Sequence, residues 1–246
     1  MNKNINLAIV GLGQIGNYLL HEINKNKKDI LLKTGKKVEV VAISAKNINK
    51  KRKYKINKRI FFSNALDIFK KQKIDLLIEC IGMSDGISKK IVETALKKRI
   101  HVVTPNKALI AKHGDYLSKL AEKNRVNLEF EASVGGGIPI LRTIKEGLAT
   151  NKISKVFGIL NGTCNYILSE MEITKENFDI VLKKAQSLGY AEPGNPKLDL
   201  NGYDALAKVR ILSSLAFNKK ISKKKCLMEG IENIEIKDIQ IASQLN

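Results

Sequence analysis

Residues 5–16 read INLAIVGLGQIG, an apolar run of strand length that ends in a glycine turn, and the amphipathic stretch NYLLHEINKNKK follows at once. The order predicts strand, tight turn and helix. Gly11, Gly13 and Gly16 have the spacing G-x-G-x-x-G. In that spacing the first glycine permits the sharp turn, the second lets a pyrophosphate approach the backbone, and the third lets the helix pack on the strand. The phosphates would then meet the helix N-terminus. Gln14 and Ile15, between the second and third glycines, complete the candidate dinucleotide contacts.

The next apolar run, KVEVVAIS, ends at Ser44-Ala45-Lys46, with no acid where an NAD-preferring site usually carries one for the ribose hydroxyls. Ser44, Lys46 and the basic residues that follow could accept a 2′-phosphate, which favours NADP, with NAD open as well. Downstream the chain alternates IDLLIECIG, ISKKIVETALKKR, IHVVT, ALIAKHGDYLSKLAEKN and VNLEFEA. Strand and helix in alternation predict an α/β fold, a Rossmann-type doubly wound dinucleotide-binding domain over residues 1–131. Pro105-Asn106-Lys107 follows the strand IHVVT at its carboxyl end, where open parallel sheets bind ligands.

The 246 residues suffice for two modest domains, and no apolar run approaches the length of a membrane helix. Three dispersed cysteines, Cys80, Cys164 and Cys226, have no CxxC spacing and fit reduced thiols in a soluble, cytoplasmic protein. The formal charge of +20 would suggest nucleic acid, but lysine, asparagine and isoleucine are all abundant, as drift toward A and T codons produces. The basic runs KNINKKRKYK and NKKISKKKC lack interleaved aromatic platforms, so nucleic acid and membrane are not expected partners. His21, His101 and His113 are scattered and read as structural.

In the second half, EASVGGGIPILRTI places three glycines between apolar runs, a bent backbone whose carbonyls could face a ligand or a cation. KVFGILNGTCNYILSEM predicts a strand that breaks at Asn161-Gly162-Thr163 and a helix capped by Thr163 or Asn161. Residues 185–208, AQSLGYAEPGNPKLDLNGYDALAK, form a Gly- and Pro-punctuated loop running into a helix. Asp204 and Lys208 stand i, i+4 on one face of that helix, a solvated pair in many proteins and, beside further carboxylates, a means of moving a proton.

HVVTPNKALIAKHG, EASVGGGIPI, GILNGTCNYILSEM and residues 185–208, in this order and spacing, resemble homoserine dehydrogenase over nearly the whole chain. The resemblance implies NADP- or NAD-dependent interconversion of L-homoserine and L-aspartate 4-semialdehyde, on the route to threonine and methionine, by a homodimer. It also implies an α+β catalytic and dimerisation domain over residues 132–246. By motif, Lys208 resembles the acid/base, Glu192 and Asp204 the residues that hold the amino-acid substrate, and Lys107 the lysine at the nicotinamide and substrate cleft. Glu131 with the backbone of Val134, Gly136 and Ile138 resembles a monovalent cation site, usually sodium, and Gly189 a cofactor contact. Asp199 offers a further charge for the substrate ammonium. Lys208 can take the hydroxyl proton if desolvation or a neighbouring cation such as Lys107 lowers its pKa.

Two departures from the family pattern stand out. The loop AEPGNPK carries Asn195 before Pro196 and one extra residue, which bears on the placement of Asp199, and Cys164 replaces the usual Thr or Ser. Family members typically continue past EGIENIEIKDIQIASQLN, so the expectation is a catalytic domain incomplete at its C-terminus. The alternative to an active enzyme is a truncated non-catalytic remnant that folds and binds cofactor weakly.

Overall fold

The computed structural model describes residues 4–194, 196–222 and 226–245, so Asn195 and part of the second basic run lie outside the described residues. The chain forms two compact units, Met1–Leu148 and Ala149–Asn246.

The first unit is built on six strands, β1 (Ile5–Val10), β2 (Val38–Ser44), β3 (Phe61–Phe62), β4 (Leu76–Glu79), β5 (His101–Val103) and β6 (Leu128–Glu129). All pair in parallel in the order β3-β2-β1-β4-β5-β6. The chain winds outward one way from β1 through β2 to β3 and then returns to lay β4 on the other side of β1. That reversal opens a crevice between β1 and β4 at their carboxyl ends, the place where such sheets take ligands. The register sets Val10 against both Ser44 and Glu79, so the turn after β1 leaves the sheet between them.

Helices α1 (Gln14–Lys25), α2 (Lys27–Thr34), α3 (Ile68–Lys71), α4 (Ile87–Lys97), α5 (Lys107–Asn124) and the single turn α6 (Ile140–Arg142) connect and flank the strands. Leu20 and Ile23 on α1 meet Leu7 and Ile9 of β1 and Val40 and Ile43 of β2. On these strands nearly every residue is apolar because a parallel sheet is covered on both faces. α4 packs on β4 and β5 and against α5. The predicted strand VNLEFEA shortens to Leu128–Glu129, the sheet's edge.

The glycine-rich segment after residue 131 packs with the first unit, for a specific reason. The Glu131 carboxylate accepts the backbone N–H groups of Leu141 and Arg142 at 2.7 and 2.9 Å, and Lys145 reaches Glu129 at 3.0 Å. These bonds carry the first unit through α6 to Leu148.

The second unit contains α7 (Gly162–Thr174), α8 (Phe178–Leu188), the short α9 (Lys197–Leu200), α10 (Tyr203–Ala216) and α11 (Ile236–Leu245). Ile167 and Met171 of α7, Val181 and Ala185 of α8, and Leu200 of α9 are its core. Of the two caps the sequence offers, Thr163 and Asn161, it is Asn161 that caps α7, its side chain accepting from Cys164 N–H. The strand predicted in KVFGIL does not form: residues 152–160 have no regular pairing among the described residues, and Phe157 and Ile159 are 86% and 77% exposed. A strand exists only through its ladder, and the described residues supply none here. The described residues of this unit are helical or irregular, where an α+β unit was expected.

Candidate active site

The glycine turn does three different jobs. Gly11 has φ +94°, and a Cβ there would stand 2.4 Å from the Cys80 carbonyl oxygen. Gly16 sits so close to the turn that a Cβ would meet the Gly11 carbonyl oxygen at 1.9 Å. Gly13 is different: a Cβ there would meet nothing. Two glycines are therefore required by packing, and the middle one leaves space over the N-terminus of α1. That end has neither a side-chain cap nor an acidic residue in its first turn, so its N–H groups and dipole are available to an anion.

Beside this turn lies a cavity of about 330 Å³, bounded by Gly13, Gln14 and Tyr18 on one side and by Lys50, Lys51 and Lys53 on the other. The basic loop is held in place by contacts that the sequence did not show. Arg52 donates to the carbonyls of Leu12, Ile48, Lys50 and Asn47 at 2.7 to 3.2 Å. Asn17 and Tyr54 exchange two hydrogen bonds of 2.9 Å, side-chain amide against backbone. His21 stacks on Tyr54 with ring centroids 4.0 Å apart. Ser44 is buried, its carbonyl accepting the Gly11 N–H at 2.9 Å, and Lys46 is exposed at the end of β2. The cations lining the cavity thus come from 50–53, slightly downstream of the lysine picked from sequence. Open backbone, a free helix N-terminus and a basic wall fit the phosphates of a dinucleotide.

At the carboxyl ends of β4 and β5, Lys107 opens α5, and Asn106 caps it by accepting the Leu109 N–H at 3.1 Å. Glu79, fully buried at the end of β4, accepts from Ser88, Thr104 and the Ile81 N–H at 2.6 to 2.8 Å. A glutamate inside the apolar run IDLLIECIG was the signal that could have found it, since buried charges need partners. Cys80 beside it has its pKa pushed up to about 12, by burial and then by the Glu79 charge.

In the second unit one asparagine gathers two carboxylates. Asn161 Nδ2 donates to Asp199 Oδ1 at 2.8 Å and to Asp204 Oδ2 at 3.0 Å, while its Oδ1 caps α7. Thr163 reaches Asp199 at 3.4 Å. Lys208 Nζ donates to the Leu160 carbonyl at 2.8 Å and lies 2.9 Å from Asp204 Oδ2. The sequence-read pair Asp204 and Lys208 is real and inward: Asp204 is 7% exposed. Burial lowers the Lys208 pKa, and the Asp199 charge works against that. The site can thus hold a cationic group between two carboxylates and offer an amine that gives up its proton more readily than a surface lysine.

Glu192 is exposed in the loop after α8, and Gln186 ties that loop by donating to the carbonyls of Glu192 and Gly194 at 3.2 and 2.9 Å. Gly189 ends α8 with φ +82°. In the segment read as a cation site, Val134 is buried, Gly136 and Ile138 are exposed, and both Glu131 oxygens already receive backbone N–H groups. Among the described residues no three His, Cys, Asp or Glu cluster as metal ligands, and no helix is long and apolar enough to cross a membrane.

Residues 11–131 match the family model for the NAD-binding domain of homoserine dehydrogenase, and residues 139–246 match that for homoserine dehydrogenase itself. A curated homoserine dehydrogenase of Neisseria gonorrhoeae is 37% identical over 243 residues, 99% of this chain and 55% of that protein. A solved homoserine dehydrogenase from Thiobacillus denitrificans superposes with TM-score 0.87 at 36% identity, covering 99% of this chain and 56% of that one. A structure from Archaeoglobus fulgidus, provisionally described as a homoserine dehydrogenase, gives 0.85 at 30% identity and covers 98% of this chain and 77% of that one. The chain spans about half the length of the curated relatives it matches. A nucleotide crevice built on a six-stranded parallel sheet, two carboxylates gathered on one asparagine with a lysine paired to one of them, and two family models that between them take in almost every residue have one common explanation: this chain belongs to the homoserine dehydrogenase family.

Proposed function

We propose that the chain oxidises L-homoserine to L-aspartate 4-semialdehyde with NADP or NAD, and catalyses the reverse reduction. The observation that carries this reading is the Asp199, Asn161, Asp204 and Lys208 constellation, which lies within the family motifs. Asp199 and Asp204 are charged partners for the substrate ammonium, with Glu192 positioned in the adjoining loop. When the side-chain hydroxyl is oxidised, its proton passes to neutral Lys208 Nζ; in the reducing direction the protonated amine returns it to the alkoxide oxygen. The bound nicotinamide supplies the hydride acceptor or donor. Gly11, Gly13, Gly16, Gln14 and Ile15 would hold its phosphates, and Lys107, at the carboxyl edge of the sheet, would stand at the nicotinamide and substrate cleft.

The basic cavity wall at 50–53 supports NADP over NAD, because a 2′-phosphate adds charge that lysines can meet and ribose hydroxyls do not. Glu131 with the carbonyls of Val134, Gly136 and Ile138 would hold sodium only by sharing a carboxylate that already caps α6. A homodimer in the cytoplasm is the assembly we favour, since the exposed Phe157 and Ile159 form an apolar stretch that a partner would cover.

The test is direct: the purified chain is given L-homoserine with NADP and, separately, with NAD, and reduced nicotinamide is followed by absorbance. Turnover with either cofactor supports the reading. Absence of turnover in a chain that still binds NADPH would mean a folded remnant.

A further inference from the structure

Glu79 is buried completely, yet its surroundings are polar in a directed way. Five donors reach its two oxygens: Ser88 Oγ at 2.7 Å, Ile81 N–H at 2.8 Å, Gly82 N–H and Asn106 Nδ2 at 3.4 Å on Oε1, and Thr104 Oγ1 at 2.6 Å on Oε2. All five partners have a hydrogen to offer, and the two carboxyl oxygens have lone pairs enough to accept them. The network runs on, since Thr104 Oγ1 accepts the Asn106 N–H at 3.0 Å and Asn106 Nδ2 donates to the Met83 carbonyl at 2.8 Å. One side chain therefore ties together the loop after β4 and the turn after β5 that delivers Lys107.

A buried polar network of this kind is weak evidence for stability, because apolar residues of similar volume often serve as well. Its position is more telling. Glu79 is paired in register with Val10, at the reversal point of the sheet, next to the glycine turn. The basic cavity lies on the β2 side of that point, and the network of Glu79 lies on the β4 and β5 side. In a doubly wound sheet the two sides receive the two halves of a dinucleotide.

We propose that Glu79, acting through Thr104 and Asn106, is a positioning residue for the nicotinamide half of the cofactor and leaves the adenosine half to the glycine turn and the basic loop. The proposal rests on the dinucleotide reading above. In Glu79→Gln an amide nitrogen replaces one of the two accepting oxygens, so that side of the network loses its acceptor and the common anchor of the two loops is weakened.

The full chain is titrated with NADPH, followed by nicotinamide fluorescence, and with adenosine 2′,5′-bisphosphate, which lacks the nicotinamide half. Glu79→Gln should weaken NADPH by about tenfold or more, the effect of one lost charge-assisted hydrogen bond, and leave the bisphosphate unchanged. Thr104→Val, which removes the hydroxyl with little change of shape, should reproduce the split even where Glu79→Gln fails to fold, and Thr104→Ser should restore parent affinity. Parallel loss of both ligands would assign Glu79 a general structural role and overturn the proposal, as would no loss of either. A parent chain that binds neither ligand would overturn the dinucleotide reading along with it. Turnover is not needed for the comparison, so an inactive parent that shows the split still supports the positioning role.

Discussion

Replacing Lys208 with alanine separates chemistry from folding, and the structure says by how much. Lys208 contributes two contacts, to the Leu160 carbonyl and to Asp204. Its side chain is 20% exposed, so the pair lies between a surface ion pair worth about 0–1 kcal/mol and a buried one worth about 3–5 kcal/mol when broken. Asp204 keeps the Asn161 amide in the variant. A cost of about 1–2 kcal/mol follows, small against the roughly 5–15 kcal/mol that holds a domain folded. Turnover should fall at least about a hundredfold, the usual contribution of a general acid/base and close to 2.7 kcal/mol of barrier. The pH dependence adds a sign. Burial lowers the Lys208 pKa below the ordinary 10.5, so oxidation, which needs the neutral amine, should rise with pH through that lowered value, and reduction should fall across the same range. The unfolded chain holds this proton more tightly than the folded one, so stability should also rise with pH between the folded and unfolded pKa values. Steady-state assays in both directions across pH, with urea unfolding of parent and variant, test all three. A variant that keeps its turnover, or keeps both pH limbs, would refute the assignment.

The three glycines should behave differently. Gly13→Val, entering open space, should keep the parent unfolding midpoint and abolish NADPH binding; a variant that titrates like the parent would reduce the fingerprint to a turn. Gly16→Ala, whose Cβ meets a backbone oxygen, should lose about 3 kcal/mol or more in urea unfolding, since the helix must move off the strand. Asn161→Ala removes an α7 cap and the amide shared by two carboxylates. It should cost about 1–2 kcal/mol and raise KM for L-homoserine more than KM for NADP, and equal effects on both would count against the substrate role. Asp85, bonded to Lys112, Ser84 and His113, is held well below the usual carboxylate range by those hydrogen bonds. A carbon-detected titration should place its midpoint below those of other exposed aspartates and move it up in Lys112→Met; an ordinary midpoint in the parent would exclude the tie between the loop after β4 and α5.

What could be read along the chain was what depends on neighbours in sequence. The glycine spacing, the alternation of apolar strands with amphipathic helices, the Asn161 cap and the i, i+4 pair of Asp204 and Lys208 are all local geometry, and each is found where expected. The family motifs extended that reading to function. Tertiary structure decided the rest because the relevant partners are far apart in the chain. Glu79 meets Thr104 across 25 positions, and Asn17 meets Tyr54 across 37. Asn161 meets Asp199 across 38 and Asp204 across 43, so two carboxylates converge on a residue that by itself reads only as a cap. The spacing gives the three glycines different roles, but how closely each is enclosed depends on the fold: Gly11 and Gly16 are hemmed in by backbone while Gly13 faces open space. KVFGIL shows the converse: its apolar, β-favouring composition is plain from sequence, but a strand needs a hydrogen-bonded neighbour, and propensity along one segment carries no information about whether one is supplied.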